Sequence, residues 1–132
     1  MKLIRVTCAL IVEKGKLLCA QRSATMQLPL KWELPGGKIE VNETEEDCLH
    51  REIEEELGLK IHILEKLQEE LHQFDAEKSI LLIPFLCHIN GGILNFIEHN
   101  QVIWLGKTQL LDLDWAEADL AIVKRFIEKD FN

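Results

Sequence analysis

Acidic residues are concentrated in one stretch of this chain. Eight of the fourteen residues from Glu43 to Glu56 are aspartate or glutamate. Such a run usually marks a solvated helix face. Here, however, Glu52, Glu55 and Glu56 have the spacing that gathers side chains on one side of a helix. Like charges at this spacing repel by roughly a few tenths of a kcal/mol per pair. The spacing therefore indicates a carboxylate cluster with a purpose other than helix stability.

An apolar stripe next to the cluster is expected to dock the same helix. Leu49, Ile53 and Leu57 recur every four residues and so occupy the arc beside the glutamates. A helix buried by that stripe presents its carboxylates along one margin, where they form the oxygen-rich environment that Mg²⁺ prefers. A bound cation would relieve the repulsion and could also neutralise a phosphate chain.

The composition excludes several classes of protein. A net charge of −8 over 132 residues argues against binding a nucleic acid polymer, because that role needs a cationic surface. An acidic protein that binds an anionic substrate needs a cation between the two. No stretch of the sequence approaches the roughly 20 apolar residues of a membrane span, and the N-terminal apolar run lacks a signal-peptide cleavage site. The four cysteines have no C-x-x-C spacing, which is typical of reduced thiols. We expect a cytoplasmic protein.

The segment from Gly37 to Leu59 resembles the Nudix box. Gly37 is followed after five residues by Glu43, and seven residues later by the run REIEEELGL that begins at Arg51. All nine specified positions of the pattern G-x5-E-x7-R-E-U-x-E-E-x-G-U, with U aliphatic, are matched. The preceding run WELPGGK, the Gln21-Arg22 pair and the spacing from Glu98 to Trp104 are similar to the MutT branch. Within that branch the pattern is closest to CTP pyrophosphohydrolase and 8-oxo-dGTP diphosphatase members.

The resemblance covers nearly the whole chain and implies one Nudix domain over residues 1–132. The implied fold is α/β (α+β), with a mixed β-sheet sandwiched between α-helices. Residue patterns predict the elements directly, and Pro84 suggests an irregular or edge position in its strand. The predicted elements are a hairpin of Leu3–Val12 and Leu17–Gln21, a helix over Thr44–Leu57, strands at Ile61–Gln73, Ser79–Ile89 and Gln101–Leu105, and a final helix over Asp119–Asp130.

The resemblance also implies roles for the acidic residues. Glu55 and Glu56 stand at the positions that bind metal in the family, and we expect both side chains to face solvent. Glu52 is implied as a metal ligand or as the base for the attacking water. Glu98 is a further candidate for either role, against the alternative of an ordinary loop acid. The carbonyl of Gly36 is implied as another metal ligand.

Other residues are implied in support and in substrate binding. Arg51 is expected to orient a neighbouring carboxylate, with an ordinary surface ion pair as the alternative. Arg22 and Lys38 are candidates for binding the phosphates or the nucleotide, although surface cations are common. Asp119 matches the position that reads the base edge in MutT-like proteins, and its alternative is a helix N-cap. The five histidines show no metal-ligand spacing and are expected at the surface or as satisfied core residues.

Together these features predict a Mg²⁺-dependent nucleoside triphosphate pyrophosphohydrolase, with Mn²⁺ able to substitute. By resemblance, a metal-activated water attacks the β-phosphorus, giving a nucleoside monophosphate and pyrophosphate. An ionised Asp119 only accepts hydrogen bonds, which suits the amino group of cytosine, an adenine-like amino group, or the N1–H and amino group of guanine. The resemblance to CTP pyrophosphohydrolase members favours cytosine or modified cytosine. Three alternatives remain: an enzyme for oxidised purines such as 8-oxo-dGTP, a Nudix hydrolase of another nucleoside diphosphate derivative, and a non-catalytic nucleotide sensor. A monomer is expected by family analogy.

Overall fold

Eight strands and two α-helices make up the described part of the chain. The computed structural model describes residues 2–96 and 98–129. The strands are β1 Lys2–Glu13, β2 Lys16–Gln21, β3 Trp32–Glu33, β4 Gly36–Lys38, β5 Leu59–Lys66, β6 Glu70–Gln73, β7 Lys78–Gly92 and β8 Gln101–Leu105. The helices are α1 Glu45–Leu57 and α2 Glu117–Glu128, and a 3-10 turn at Leu110–Asp112 precedes α2.

The strands form one mixed sheet. Its order is β3-β2-β1-β7-β5, while β4 pairs with β1, β6 with β7 and β8 with β2. β1 and β7 run parallel over ten residue pairs, from Lys2 opposite Lys78 to Ile11 opposite Cys87. The other pairings between these strands are antiparallel. The predicted hairpin of the first two strands is confirmed.

Residues of β1 alternate between two apolar cores, one on each face of the sheet. Cys8 and Leu10 belong to the core that α2 covers, whereas Ala9 and Ile11 belong to the core that α1 covers. Successive side chains of a strand point to opposite faces, so one strand serves both layers. The predicted stripe of α1 and the residues Ile122, Val123 and Phe126 of α2 complete these cores. The sheet therefore lies between two helices, as the resemblance implies.

Two of the expected strands differ from the structure. The predicted single strand Ile61–Gln73 is wrong, because the chain leaves the sheet between β5 and β6 and pairs with β7 twice. The break lies opposite Pro84, whose carbonyl accepts a bond from the Leu67 N–H at 2.8 Å. Proline has no N–H to give to a neighbouring strand, which is why pairing is interrupted there. Pro84 thus marks an irregularity, as predicted, but lies in an interior strand rather than at an edge.

Three smaller observations complete the comparison with the sequence. Helix α2 begins two residues before the predicted start, and its predicted end at Asp130 lies outside the described residues. All four cysteines are buried and unpaired, as expected of reduced thiols. Over residues 2–96 and 98–129, neither helix combines the length and the hydropathy that crossing a bilayer requires.

Candidate active site

Local signals at both ends hold helix α1 in the predicted place. The Thr44 hydroxyl accepts a bond from the Asp47 N–H at 3.0 Å, which satisfies one of the free donors of the first turn. At the other end Gly58 adopts a left-handed conformation with φ 68°, and its N–H bonds to the Glu54 carbonyl. These two caps determine which residues of the acidic run are helical and therefore which side each glutamate occupies.

A ribbon formed by residues 33–38 lies between helix α1 and strand β1, and its two glycines allow a very close approach. A Cβ atom at Gly36 would lie 2.0 Å from the Thr7 carbonyl oxygen. A Cβ atom at Gly37 would lie 2.2 Å from the Cδ of Glu52. Gly36 meets backbone and therefore requires glycine, whereas a side chain at Gly37 would displace the Glu52 carboxylate from its present position. The double glycine therefore brings backbone against the carboxylate of the helix.

Three carboxylates, one just before helix α1 and two on it, are hydrogen-bonded to one guanidinium, and a fourth, that of Glu40, lies 3.8 Å from it. Arg51 binds Glu43 through two bonds, Nε to Oε2 at 2.7 Å and Nη2 to Oε1 at 2.9 Å. Its Nη1 donates to Glu52 at 2.8 Å and to Glu55 at 3.4 Å. The Arg51 bonds lower the pKa of Glu43 to about 2. We call Arg51, Glu43, Glu52 and Glu55 the guanidinium-bound group. Its geometry exceeds that of an isolated surface pair and accords with the expected orienting role of Arg51.

Glu56 differs from its neighbours because it points inward. Glu55 has a side chain that is 62 % exposed, but Glu56 is half-buried and its Oε2 accepts a bond from the Gly36 N–H at 3.2 Å. Burial, followed by the charges of Glu33 and Glu52, raises the pKa of Glu56 to about 9. The expectation that both glutamates face solvent is therefore wrong for Glu56. The 100° step between successive helix residues turns it toward β3 and β4.

Glu56 opens into a cavity of about 790 Å³ that spans residues from both ends of the chain. Five predicted site residues line this cavity: Arg22, Gly36, Lys38, Glu56 and Asp119. Within the described part of the chain, four other predicted site residues do not line the cavity: Arg51, Glu52, Glu55 and Glu98. The predicted substrate residues thus share one space with two of the predicted metal ligands, and the remaining acids lie beside it.

Asp119 reaches the cavity from the first turn of α2. Its Oδ2 accepts a bond from the Leu34 N–H at 2.8 Å, and the residue is only 8 % exposed. Burial raises the pKa of Asp119 to about 7, while the bond from Leu34 lowers it in part. The alternative in which Asp119 is the N-cap is wrong, because the cap is Ala116 and Asp119 is the third helical residue. The helix start is set instead by backbone bonds between Trp32 and residues 114 and 116.

Two residues of this region were not predicted as site residues. Glu33 lines the cavity, and its two oxygens bind Arg22 at 2.7 Å and His99 at 2.8 Å. Glu33 lies in the run WELPGGK. An acidic residue within a short, otherwise apolar segment is the sequence feature that could have identified it as a site residue. His99 directly follows Glu98 in the sequence. Its Nδ1 is buried without a partner in the described ranges, so it is not the satisfied core histidine that was expected.

Glu98 lies in the bend before β8 and is exposed. Its charge is one of those that raise the pKa of Glu56, after those of Glu33 and Glu52. The bend is held by the following residues, because the Asn100 N–H donates to the Gln21 carbonyl at 2.9 Å. The structure therefore brings Glu98 to the same side of the sheet as the helix glutamates.

The donor set around Glu56 fits a hard divalent cation. In residues 2–96 and 98–129, no three histidine, cysteine, aspartate or glutamate side chains are already grouped to hold an ion, and Glu52 and Glu55 are instead bound to Arg51. The available donors are nevertheless carboxylate and carbonyl oxygens, which suit Mg²⁺. Burial, followed by the charges of Glu33 and Glu52, raises the pKa of Glu56, and a bound cation would offset both effects.

Curated relatives match most of the chain. The model of the NUDIX domain matches residues 1–126. The CTP pyrophosphohydrolase of Escherichia coli K12 is 33 % identical over 129 residues, covering 96 % of this chain and 93 % of the relative. An 8-oxo-dGTP diphosphatase of Proteus vulgaris is 35 % identical over 86 residues, covering 64 % of this chain and 76 % of the relative.

Solved structures share the fold. The solution structure of the E. coli ORF135 protein has a TM-score of 0.84 and 32 % identity, covering 97 % of this chain and 91 % of that one. A MutT protein of the Nudix hydrolase family from methicillin-resistant Staphylococcus aureus 252 has a TM-score of 0.78 and 40 % identity, covering 98 % of both chains. The chain belongs to the Nudix family and is a Nudix hydrolase of the MutT type.

Proposed function

We propose that this protein is a Mg²⁺-dependent nucleoside triphosphate pyrophosphohydrolase that prefers cytosine nucleotides, including modified ones. The observation that carries the proposal is the cavity of about 790 Å³, whose wall combines Arg22, Lys38 and Asp119 with Gly36 and Glu56. It offers cations for phosphates, an acid for a base edge and oxygen donors for a metal in one space. The relative named CTP pyrophosphohydrolase supports the choice of cytosine.

The two cations of the cavity differ in how free they are to bind phosphate. Arg22 Nη1 is bound to Glu33 at 2.7 Å, and its Nε donates to the Gln27 carbonyl. Lys38 is exposed and forms no ion pair in the described ranges. We therefore assign Lys38 to the phosphate chain and Arg22 to the nucleoside end of the cavity.

The cation would be held by carboxylates of α1 together with the double glycine. Glu52, Glu55, Glu56 and the Gly36 carbonyl supply the oxygens, and Glu98 is a further candidate. When bound, the ion supplies charge neutralisation for the phosphates and lowers the pKa of water, a role in which Mn²⁺ can replace Mg²⁺. Because Glu52 and Glu55 bind Arg51 in this structure, we expect their side chains to rotate when metal binds.

The reaction needs a base for the attacking water. The oxygen of water forms a bond to the β-phosphorus while the bond from that phosphorus to the α–β bridging oxygen breaks. Nucleoside monophosphate and pyrophosphate leave, and the water proton passes to a carboxylate. Glu52 is one candidate base, and burial raises its pKa, which favours proton acceptance. Glu98 is the other.

One observation favours a second substrate class. The pKa of Asp119 is raised to about 7, so near neutral pH its protonated form can also donate a hydrogen bond to an oxygen atom of the nucleobase. An oxidised purine presents such an oxygen together with N–H donors. The relative named 8-oxo-dGTP diphosphatase supports this alternative.

A nucleotide screen tests the proposal. The protein is incubated with Mg²⁺ and CTP, dCTP, 5-methyl-dCTP, 5-hydroxy-dCTP, UTP or 8-oxo-dGTP, and pyrophosphate and monophosphate are measured. We expect the cytosine nucleotides to have the highest kcat/KM, and activity to disappear with EDTA. A higher kcat/KM for 8-oxo-dGTP would select the purine alternative. Release of single phosphate instead of pyrophosphate would contradict the proposed bond cleavage.

A further inference from the structure

His99 is buried in a segment whose flanking residues are exposed. Its side chain is 1 % exposed, whereas Glu98 and Asn100 on either side are exposed. An imidazole removed from water needs hydrogen-bond partners to offset its lost hydration. Its Nε2 lies 2.8 Å from Glu33 Oε2, and its Nδ1 has no partner in residues 2–96 and 98–129. The Glu33 carboxylate is therefore the polar partner of this ring among the described residues.

That carboxylate is held from two sides. Arg22 Nη1 donates to Glu33 Oε1 at 2.7 Å, opposite the oxygen that His99 binds. Arg22 and Glu33 line the cavity, but His99 is not among the lining residues in the described part of the chain. His99 thus lies behind Glu33, which separates it from the cavity.

Glu33 needs these two donors because its other neighbours are acids. Its charge raises the pKa of both Glu56 and Asp119, which means that all three carboxyl groups lie close together. Repulsion among them favours a rotation of Glu33 away from the cavity wall, and a donor behind the carboxylate opposes that rotation. Arg22 cannot do this alone, because it lines the cavity and binds Oε1, which leaves Oε2 to His99.

We infer that His99 is a positioning residue for nucleotide binding that acts through Glu33 and Arg22. This inference rests on the proposed function. Since Nε2 faces a carboxylate oxygen, it is the ring nitrogen that carries the proton. Loss of that donor lets Glu33 rotate and removes one of the two bonds that orient Arg22, so binding of the nucleotide weakens. The candidate base Glu52 is held separately by Arg51, so kcat is expected to change less than KM.

Two variants differ only in where they place a donor. The amide nitrogen of His99→Gln reaches about as far as Nε2, whereas that of His99→Asn reaches only as far as Nδ1. For CTP hydrolysis we expect His99→Asn to raise KM about tenfold or more, the loss typical of one hydrogen bond to a charged group. Its kcat should stay within about threefold of wild type, and His99→Gln should restore KM. A fall in kcat with unchanged KM would show that His99 acts on Glu98 instead, and would overturn the inference.

A double-mutant cycle isolates the path through Glu33. In a Glu33→Ala background, His99→Asn should change KM by less than about twofold, because the group that it positions is gone. Binding of the non-hydrolysable α,β-methylene analogue of CTP, measured by calorimetry, should follow the same pattern without turnover. Equal and independent effects of the two substitutions would contradict the inference. A wild-type protein that neither binds nor hydrolyses nucleotides would instead remove the proposed function, and this inference with it.

Thermal unfolding controls for a structural effect. If His99→Asn does not fold, the cycle is carried out with His99→Gln in both backgrounds. We then expect His99→Gln to have the KM of wild type. In the Glu33→Ala background, we expect His99→Gln to leave KM unchanged. A raised KM in His99→Gln at unchanged unfolding temperature would overturn the role of the Nε2 donor.

Discussion

Glu55 and Glu56 are adjacent on one helix, yet they belong to two groups of carboxylates with opposite electrostatic surroundings. Glu55 joins the guanidinium-bound group, where Arg51 compensates three acids and lowers the pKa of Glu43 to about 2. Glu56 lies with Glu33 and Asp119 in what we call the cavity group. There burial raises the pKa of Glu56 to about 9 and that of Asp119 to about 7.

The contrast shows which acids still require a cation. In the guanidinium-bound group the positive charge is built into the chain, and its bonds orient the side chains. In the cavity group Arg22 pairs with Glu33, whereas burial, together with the charge of Glu33, raises the pKa of Glu56 and of Asp119 and so favours their protonated forms. A divalent ion and a cytosine amino group are partners that could replace those protons. We therefore expect metal and substrate to complete the cavity group, while Glu52 and Glu55 exchange their bonds to Arg51 for bonds to the metal.

The largest effect is expected for Glu56→Gln. It should lower kcat about a thousandfold, because a ligand of the ion that neutralises the phosphates is lost. The metal-free protein should keep its fold, since Gln resembles the protonated acid that already occupies this position. Mg²⁺ should raise the unfolding temperature of the wild type but not that of the variant. Near-native turnover would remove Glu56 from the proposed ligands.

The same variant should change how the free energy of unfolding depends on pH. The pKa of Glu56 is raised from 4.5 to about 9 on folding, so its contribution to stability is full below pH 4.5 and is lost as pH rises through 9. Glu56→Gln carries no such group. Denaturant unfolding without metal should therefore show wild type losing stability relative to the variant between pH 5 and pH 9. Glu55→Gln, which changes an exposed side chain, is the matched control for folding and should also lose most turnover.

An intermediate effect is expected for the two candidate bases. Glu52→Gln and Glu98→Gln should each slow turnover by about a hundredfold if the residue is the base, the usual size of general-base catalysis. Glu52 belongs to the guanidinium-bound group, whereas Glu98 is one of the charges acting on Glu56. Single-turnover rates at saturating Mg²⁺ identify the base as the residue with the larger loss. No change in rate or in Mg²⁺ affinity for Glu98→Gln would make that acid a bystander.

The smallest effect is expected at Asp119 and concerns selectivity. Its pKa of about 7 means that it holds a proton in acid and only accepts hydrogen bonds in alkali. The preference for CTP over UTP should therefore rise severalfold between pH 6 and pH 8, and Asp119→Asn should remove this rise. The measurement is the ratio of kcat/KM values at each pH. A pH-independent ratio in the wild type would mean that Asp119 does not read the base.

Regular features of this chain could be predicted from short-range patterns. The helix with its Thr44 cap and the apolar stripe depend on residues within about four positions of one another, and the Nudix box is a continuous motif from Gly37 to Leu59. The inward orientation of Glu56 could not be predicted in this way. Helical periodicity shows that the glutamates share one side of the helix, but it does not show which of them faces the cavity. The bond between Glu33 and His99 joins residues 66 positions apart. The break opposite Pro84 likewise depends on which strand packs there.

The ribbon of residues 33–38 makes the site sensitive to chain length. Along six consecutive residues it supplies Glu33 to the cavity group, backbone N–H groups to Asp119 and Glu56, a bare Cα beside Glu52, and the Lys38 carbonyl to Arg51. An inserted residue would shift an extended chain by about 3.3 Å and reverse the side on which each later group faces. The loop over residues 23–31 also lines the cavity, but it touches the predicted site residues through Arg22 alone among the described contacts, by the Gln27 and Lys31 carbonyls and the Leu30 N–H. Insertions that are meant to change the substrate range are therefore better placed in that loop, and the number of residues in the ribbon is better left unchanged.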